Sequence, residues 1–131
     1  MEARTFVIYL DTHVIVWLYS GEVDRIPAKA RHEMERNNLL ASPVCALEVQ
    51  YLFELGRIRA SSRQILTDLE ARIGLEICGL AFDRVIAHAL EESWTRDPFD
   101  RIIVGQARVQ NAGLVTKDDE IHRHYRGTVW E

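Results

Sequence analysis

Short apolar runs alternate with longer helical patterns along the whole chain, and this alternation restricts the fold more than any other feature. The runs rich in β-forming residues occupy residues 5–10, 39–41, 75–80 and 114–116. The helical patterns cover residues 28–37, 43–55, 62–72, 83–93 and 98–111. Because strands that alternate with helices pair in parallel, we expect a three-layer α/β/α sandwich around a central, mainly parallel sheet.

Capping residues predict where several of these helices begin and end. Ser42 and Asp97 each precede a proline, which is favoured at the first helical position because it has no amide hydrogen to lose. Asp83 is the expected cap of the helix over residues 83–93. Gly113 is expected to close the helix that follows Asp97.

Composition limits the class of protein. At 131 residues the chain is expected to form one domain over residues 1–131, and 47% hydrophobic with 27% charged residues is typical of a globular protein. Cys45 and Cys78 have no second cysteine or histidine at a zinc-like spacing, so both are expected in the core. The chain has neither the layout of a signal peptide nor an apolar run long enough to cross a membrane. We therefore expect a cytoplasmic protein without a membrane partner.

Two acidic residues follow predicted strands. Asp11 comes directly after the first apolar run, and Asp118 comes two residues after the last. Open parallel sheets bind ligands beyond the carboxyl ends of their strands, so both residues lie where a binding crevice is expected. A helix cap would also explain Asp11, and a turn would also explain Asp118. The adjacent Asp119 leaves open which acid of this doublet points inward.

Two more acidic residues lie on helical faces that are otherwise apolar. Asp100 shares a face with Ile103, Val104 and Ala107, and Glu48 lies within a stripe formed by Val44, Leu47, Tyr51, Leu52 and Leu55. A buried carboxylate requires a cation or a hydrogen-bonding partner. A capping box with Asp97 is an alternative explanation for Asp100. For Glu48, a structural ion pair with Arg101 and a functional role are equally supported.

The four acids are predicted to converge on one crevice at the carboxyl edge of the sheet. Carboxylates that lie within a few ångströms repel one another strongly unless a cation is present. An incomplete, oxygen-only ligand set suits Mg²⁺ or Mn²⁺. Without these four residues the acids and bases balance at 16 each, so this predicted metal site accounts for the net charge of −4.

Four blocks of sequence carry a family resemblance. YLDTHVIVWL (9–18), SPVCALEVQYLFELGRI (42–58), RDPFDRIIVGQA (96–107) and GLVTKDDEI (113–121) together resemble the PIN-domain ribonucleases, in particular the VapC toxins of toxin–antitoxin pairs. The blocks occur in the family's order and span nearly the whole chain. The resemblance implies a PIN-like α/β/α fold and an acidic cluster that uses Mg²⁺ or Mn²⁺ to hydrolyse RNA phosphodiester bonds, leaving a 5′-phosphate and a 3′-hydroxyl.

The resemblance also implies roles for individual residues. The family's catalytic and metal-binding acids fall on Asp11, Glu48, Asp100 and Asp118. Thr116 matches a supporting polar position, and Asp97, Asp119 and Arg101 are further candidates for supporting roles. A PIN-like RNA- or protein-binding module without activity is the alternative, and the presence of all four acids argues against it.

Partners follow from the same resemblance. It implies an RNA substrate, a homodimer, and a small antitoxin whose segment fills the acidic groove. Apolar positions on the early helices are candidate protein contacts: Val14, Trp17 and Leu18, or Tyr51 and Leu55. Cations near the acid blocks are candidate phosphate contacts, although each is more simply a solvated residue: Arg57, Arg59, Arg63, Arg96, Arg101, Lys117 and Arg123.

The remaining histidines and tryptophans have structural explanations. His122 and His124 form an isolated H-x-H on a polar helix and are expected to face solvent. The tryptophans Trp17, Trp94 and Trp130 are expected in the core or at an interface rather than stacked on bases. His13, beside Asp11, is left without a role.

Overall fold

Five strands form one parallel sheet in the protein, described here for residues 6–131 by a computed structural model. They are β1 (Val7–Leu10), β2 (Asn38–Ala41), β3 (Glu76–Ile77), β4 (Gly113–Val115) and β5 (Thr128–Val129). Their order across the sheet is β3-β2-β1-β4-β5, and every neighbouring pair is parallel. All five strands therefore end at the same edge of the sheet.

Helices flank this sheet and confirm the predicted fold class. Within residues 6–131 they are α1 (Thr12–Tyr19), α2 (Ala28–Arg36), α3 (Pro43–Glu54), α4 (Ser62–Ile73), α5 (Phe82–Ala89), α6 (Pro98–Val109) and α7 (Asp119–His124), with a short 3-10 turn at Val23–Arg25. Helices α1, α3 and α4 pack on one another, α6 packs against α3 and α5, and α2 contacts β2 and β5. No helix in this part of the chain combines the length and the apolar character needed to cross a membrane.

The central strand explains the apolar character of the first run. Ile8, Tyr9 and Leu10 of β1 are buried, since β1 lies between β2 and β4 and is covered by helices. Parallel strands buried on both faces read as continuous apolar runs rather than alternating ones. The predicted run begins at residue 5, which lies outside the described residues.

Two predicted helix caps are wrong, and the helix predicted over residues 83–93 ends early, at Ala89. Helix α5 begins at Phe82 after Ala81, without a side-chain cap, so Asp83 lies in the first turn instead of capping it. Helix α6 ends at Val109, and the chain leaves it through Asn111, which takes a left-handed φ of 50°. The Ala112 amide then donates to the Ala107 carbonyl, as in a Schellman motif. Asn111 thus takes the left-handed position at the end of α6 that was expected for Gly113, and Gly113 instead begins β4.

Candidate active site

Asp11 stands at the end of β1 and at the start of α1. Its Oδ1 accepts a hydrogen bond from the Thr12 amide at 2.8 Å, so the predicted capping role is present. Its Oδ2 accepts a second bond at 2.6 Å from the hydroxyl of Thr116, which directly follows β4. Only 8% of the residue is exposed. The Asp11 carboxylate is thus held in one orientation by the ends of two adjacent strands.

Glu48 projects from α3 toward the same edge. The Thr12 hydroxyl donates to its Oε1 at 2.5 Å, so Thr12 holds two of the predicted acids in place, Asp11 through its amide and Glu48 through its hydroxyl. Sequence reasoning assigned no role to Thr12, although its place directly after Asp11 at a strand end was the available signal. Helix α3 begins as predicted, with the Ser42 hydroxyl accepting from the Val44 amide and Pro43 at the first position.

Part of the apolar stripe that surrounds Glu48 is exposed, including the candidate contact positions Tyr51 and Leu55. Leu47, Tyr51 and Leu55 are 48%, 46% and 70% exposed, whereas the buried face of α3 carries Cys45 and Val49. Glu48 lies at the boundary between the two faces and is half-buried. Its apolar neighbours therefore form an exposed row beside the candidate site.

Asp97 and Asp100 lie in the first turn of α6. The Asp97 carboxylate caps the helix by accepting from the amides of Phe99 and Asp100, as predicted. Asp100 shares its face with the buried Ile103, Val104 and Ala107 and is itself half-buried. No hydrogen bond between described residues reaches the Asp100 carboxylate.

Asp118 follows β4 and caps α7. Its Oδ1 accepts from the amides of Glu120 and Ile121, and its own amide donates to the Thr116 hydroxyl at 3.1 Å. Thr116 is fully buried and thus contacts both Asp11 and Asp118, which agrees with the predicted supporting position. Asp119 is exposed at the start of α7 and does not line the cavity described next.

The acids from these elements surround one cavity of about 400 Å³ at the carboxyl edge of the sheet. Its walls are formed by Asp11, Glu48, Asp97, Asp100 and Asp118, together with His13, Val14, Trp17 and Lys117. All four predicted acids and the weaker candidate Asp97 therefore meet there, whereas Asp119 and Arg101 do not. A cavity of this volume is within the range of small-ligand sites, which is about 300–1,000 Å³.

Burial and the neighbouring negative charges disfavour the charged forms of Asp100, Asp11 and Glu48. The pKa of Asp100 is raised to about 7, first by desolvation and then by the charges of Asp97, Asp11, Asp118 and Glu48. Desolvation is also the main cause that raises the pKa of Asp11 and that of Glu48, while hydrogen bonds from Thr116 and Thr12 oppose it. The cavity is consequently an electrostatically unfavourable site for the protein alone.

No ion pair between the described residues neutralises these acids, although the nearby His13 lowers the pKa of Asp11 and of Glu48 slightly. The ion pairs in residues 6–131 join Arg25 to Glu22, Arg72 to Asp68 and Arg108 to Glu92, all outside the cavity. Arg101 donates to the Thr95 carbonyl at 2.8 Å, so the structural pair considered for Glu48 is absent. Lys117 lines the cavity, but none of these ion pairs involves it.

The donor set suits a cation that needs few protein ligands. Among residues 6–131, no three histidine, cysteine, aspartate or glutamate side chains are placed to hold one metal ion as they stand. Mg²⁺ is commonly held by only one or two carboxylates, since water and substrate phosphates complete its octahedral shell. The oxygen donors around this cavity fit such an open site for Mg²⁺ or Mn²⁺, and they do not fit a closed structural site.

The raised pKa of Asp100 predicts how stability depends on pH without metal. Because the folded pKa of about 7 exceeds the reference value of 3.8, the folded state binds the proton more tightly. Stability should therefore fall as the pH rises from about 4 to about 7. We expect Asp100→Asn to raise the free energy of unfolding at pH 8 by about 1 kcal/mol after allowance for solvent screening, and to have little effect near pH 4.

Urea unfolding in EDTA at the two pH values measures this difference. Asp119→Asn is the matched control, since it removes an equal charge outside the cavity. A gain at pH 8 that is no larger for Asp100→Asn than for Asp119→Asn would contradict the electrostatic description of the cavity.

The prediction that His122 faces solvent is wrong. Its ring contacts the Thr116 carbonyl oxygen at 2.6 Å through Nε2 and the Thr128 hydroxyl at 2.9 Å through Nδ1. It joins the end of β4 to β5 and is half-buried rather than solvent-facing. Its neighbour His124 is exposed, as predicted, and stacks on Trp94. The strand Thr128–Val129 supplies the partner of His122, and with two residues it is too short to be recognised in the sequence.

The fold and the cavity define a class of α/β domain with clustered carboxylates at the carboxyl edge of a parallel sheet. The chain belongs to the PIN domain family, whose model matches residues 8–127. It is 33% identical to "Ribonuclease VapC22" of Mycobacterium tuberculosis over 132 aligned positions, which cover 94% of this chain and 98% of that protein.

Solved structures confirm the PIN-like fold. DNA-bound VapBC from Salmonella typhimurium has a chain that superposes with a TM-score of 0.65 at 18% identity, covering 97% of this chain and 98% of that one. A toxin–antitoxin complex from Klebsiella pneumoniae gives a TM-score of 0.63 at 17% identity, with coverage of 93% and 95%.

Proposed function

We propose that the protein is a divalent-metal-dependent endoribonuclease and the toxin of a toxin–antitoxin pair. The observation that supports this most is the convergence of Asp11, Glu48, Asp97, Asp100 and Asp118 on one cavity, where none of the ion pairs between described residues reaches them, in a PIN domain similar to a ribonuclease. Clustered acids lower the stability of the fold, so their presence favours a function that uses them. It equally disfavours an inactive binding module.

The residues around the cavity have distinct proposed roles. Asp11 and Asp100 are the principal ligands of Mg²⁺ or Mn²⁺. The Asp11 carboxylate is fixed by two hydrogen bonds, and the Asp100 carboxylate accepts none from residues 6–131. Glu48 and Asp118 orient water or assist a second ion, and Asp97 is mainly a helix cap. The bound ion supplies Lewis acidity toward water and offsets charge on the phosphate.

Thr116 and Thr12 act on the acids rather than on the substrate. Thr116 orients Asp11 and the backbone of Asp118, and Thr12 orients Glu48. Groups that orient metal ligands commonly change affinity or activity about 10- to 100-fold when removed. Asp119 and Arg101 have no proposed role at the cavity, since neither lines it.

Protein partners complete the proposal. The related solved structures include toxin–antitoxin and VapBC complexes, which supports a small antitoxin as the partner of this chain. The exposed Leu47, Tyr51 and Leu55 beside the acids supply an apolar surface for a protein contact, whereas Val14 is buried and does not. We further propose a homodimer and a cytoplasmic location.

Cleavage of a labelled single-stranded RNA tests the proposed activity. We expect products that carry a 5′-phosphate and a 3′-hydroxyl in the presence of millimolar Mg²⁺ or Mn²⁺, and none in EDTA. Cleavage that persists in EDTA, or that gives a cyclic phosphate, would contradict the proposed chemistry.

Metal binding is tested independently of activity by thermal unfolding. An ion bound only by the native state at ten times its dissociation constant adds about 1.4 kcal/mol of stability. For a domain of this size the melting temperature should rise by about 5 °C in millimolar Mn²⁺. An unchanged melting temperature would count against an ion in the cavity.

A further inference from the structure

Two aromatic side chains form part of the wall of the acidic cavity. His13 and Trp17 lie four residues apart on α1, so they share one helical face, and their ring centroids are 6.1 Å apart. Trp17 is also 6.1 Å from Trp130, which follows β5 at the same edge of the sheet. We call His13, Trp17 and Trp130 the aromatic strip. It begins among the carboxylates and leads away from them toward β5.

This strip is accompanied by cations. The Arg25 guanidinium lies 5.6 Å from the Trp17 ring centroid, and 58% of its side chain is exposed. Lys117, between Thr116 and Asp118, lines the cavity itself. The exposed pair of Arg25 with Glu22 has little energetic weight and leaves the guanidinium able to face a phosphate. Aromatic rings interleaved with cations are the usual surface for single-stranded nucleic acid.

The side of the cavity formed by α3 is less suited to stacking a base. There the exposed row of α3 includes Tyr51, whose ring packs edge-on against Phe99 at a centroid distance of 5.6 Å. Tyr51 does not line the cavity, whereas Trp17 does, and the neighbours of Tyr51 in this row, Leu47 and Leu55, are aliphatic. Stacking of a base is therefore better served by the aromatic strip.

Core packing alone does not account for Trp17. The side chain packs against the core, but it is only half-buried and also lines the cavity that contains the acids. Trp94 provides the comparison. It too is half-buried, but it stacks on His124 and does not line this cavity. Its buried indole nitrogen has no hydrogen-bond partner among residues 6–131. Of these two tryptophans, only Trp17 adjoins the proposed site of chemistry.

We propose that the base of a nucleotide next to the cut phosphate stacks on Trp17, with His13 at the rim and Arg25 and Lys117 toward the flanking phosphates. The proposal depends on the ribonuclease activity proposed above. Stacking on an indole tolerates any base, so Trp17 positions the strand relative to the acids rather than reading its sequence. It is a substrate-positioning residue, a role different from the core or interface position predicted from the sequence.

Steady-state kinetics on a short single-stranded RNA tests this role. We expect Trp17→Leu to raise KM for the RNA roughly tenfold with little change in kcat, because one base-stacking contact is lost. Trp17→Phe keeps a ring and should recover most of that loss. Trp94→Leu removes a comparable side chain away from the cavity and should leave KM unchanged. A fall in kcat with KM unchanged, or equal effects of Trp17→Leu and Trp94→Leu, would overturn the proposal.

An abasic substrate identifies the stacked nucleotide. Abasic sites placed singly along the RNA should weaken cleavage by the wild type at one position beside the cut, and Trp17→Leu should add nothing at that position. If the effects of the abasic site and of Trp17→Leu multiply at every position, the base does not stack on Trp17.

Binding without cleavage separates this proposal from the proposed activity. In Asp100→Asn protein, a short RNA should quench tryptophan fluorescence, and Trp17→Phe should abolish most of that quenching while Trp94→Phe should not. If the wild type cleaves no RNA but this pattern appears, the proposed activity fails and the stacking contact stands. If cleavage is metal-dependent but the quenching does not require Trp17, the activity stands and the stacking contact fails.

Discussion

Asp100→Asn should reduce metal-dependent RNA cleavage by roughly 1,000-fold. The asparagine amide has nearly the same shape but lacks the negative charge that a divalent cation requires. Since no hydrogen bond between described residues reaches the Asp100 carboxylate, the substitution breaks no contact that the fold depends on. Cleavage assays under conditions where the wild type is saturated measure the loss. The variant should also lose most of the rise in melting temperature with Mn²⁺.

This variant separates function from structure because the two effects have opposite signs. In EDTA at pH 8 the same substitution should stabilise the protein, as the raised pKa of Asp100 requires. If Asp100 served stability instead, Asp100→Asn would destabilise the protein in EDTA. Cleavage would then either be preserved or be lost because the protein unfolds. Asp11→Asn should be equally inactive but less stable than Asp100→Asn, because the Asp11 carboxylate accepts hydrogen bonds from both Thr12 and Thr116. Unchanged cleavage by either variant would contradict the assignment of that residue.

Local signals were sufficient to predict the elements that bring the acids together. The pairs Ser42-Pro43 and Asp97-Pro98 begin α3 and α6 as predicted, since capping and the missing proline amide act over a few residues. These two helices bring Glu48 and Asp100 to the edge where β1 ends at Asp11. The parallel topology follows from the order of strands and helices, which the sequence displays directly.

Tertiary contacts account for what the sequence left undetermined. A helical period shows that Leu47, Tyr51 and Leu55 share a face of α3, but not whether that face is covered. In the structure these three residues are exposed, and Cys45 and Val49 are the buried residues of the helix. Strand β5 has only two residues, too few for a periodic signal. Its pairing with β4 places Trp130 beside Trp17, a contact between residues more than one hundred positions apart.

The doublet Asp118-Asp119 illustrates the same limit at a single site. Sequence spacing allowed either acid to face inward. In the structure the Asp118 carboxylate accepts the amides of Glu120 and Ile121, which places Asp119 on the exposed first turn of α7. Helix capping therefore resolves a choice that the motif alone left open.

Gly105 on α6 sets how closely α5 approaches the helix that carries Asp100. A Cβ at this position would lie 2.9 Å from the Val85 carbonyl oxygen and 3.0 Å from the Ala89 amide nitrogen. Both are backbone atoms of α5, so no side chain can rotate to relieve the overlap. The two helices would have to separate, which exposes the buried surfaces that Val85 and Ala89 share with α6.

We therefore expect Gly105→Val to lower the free energy of unfolding by about 3 kcal/mol, despite the higher helix propensity of valine, because overpacking against backbone outweighs that gain. Urea unfolding measures the shift. Gly79→Val is the matched control, since Gly79 has nothing within 4 Å of its would-be Cβ and should change stability by no more than about 0.5 kcal/mol. Cleavage by the fraction of Gly105→Val that stays folded should fall as well, because a displaced α6 moves Asp100 relative to Asp11. Equal stability of the two valine variants would show that the α5–α6 contact is loose enough to admit a side chain, and that this packing does not fix the position of the acid.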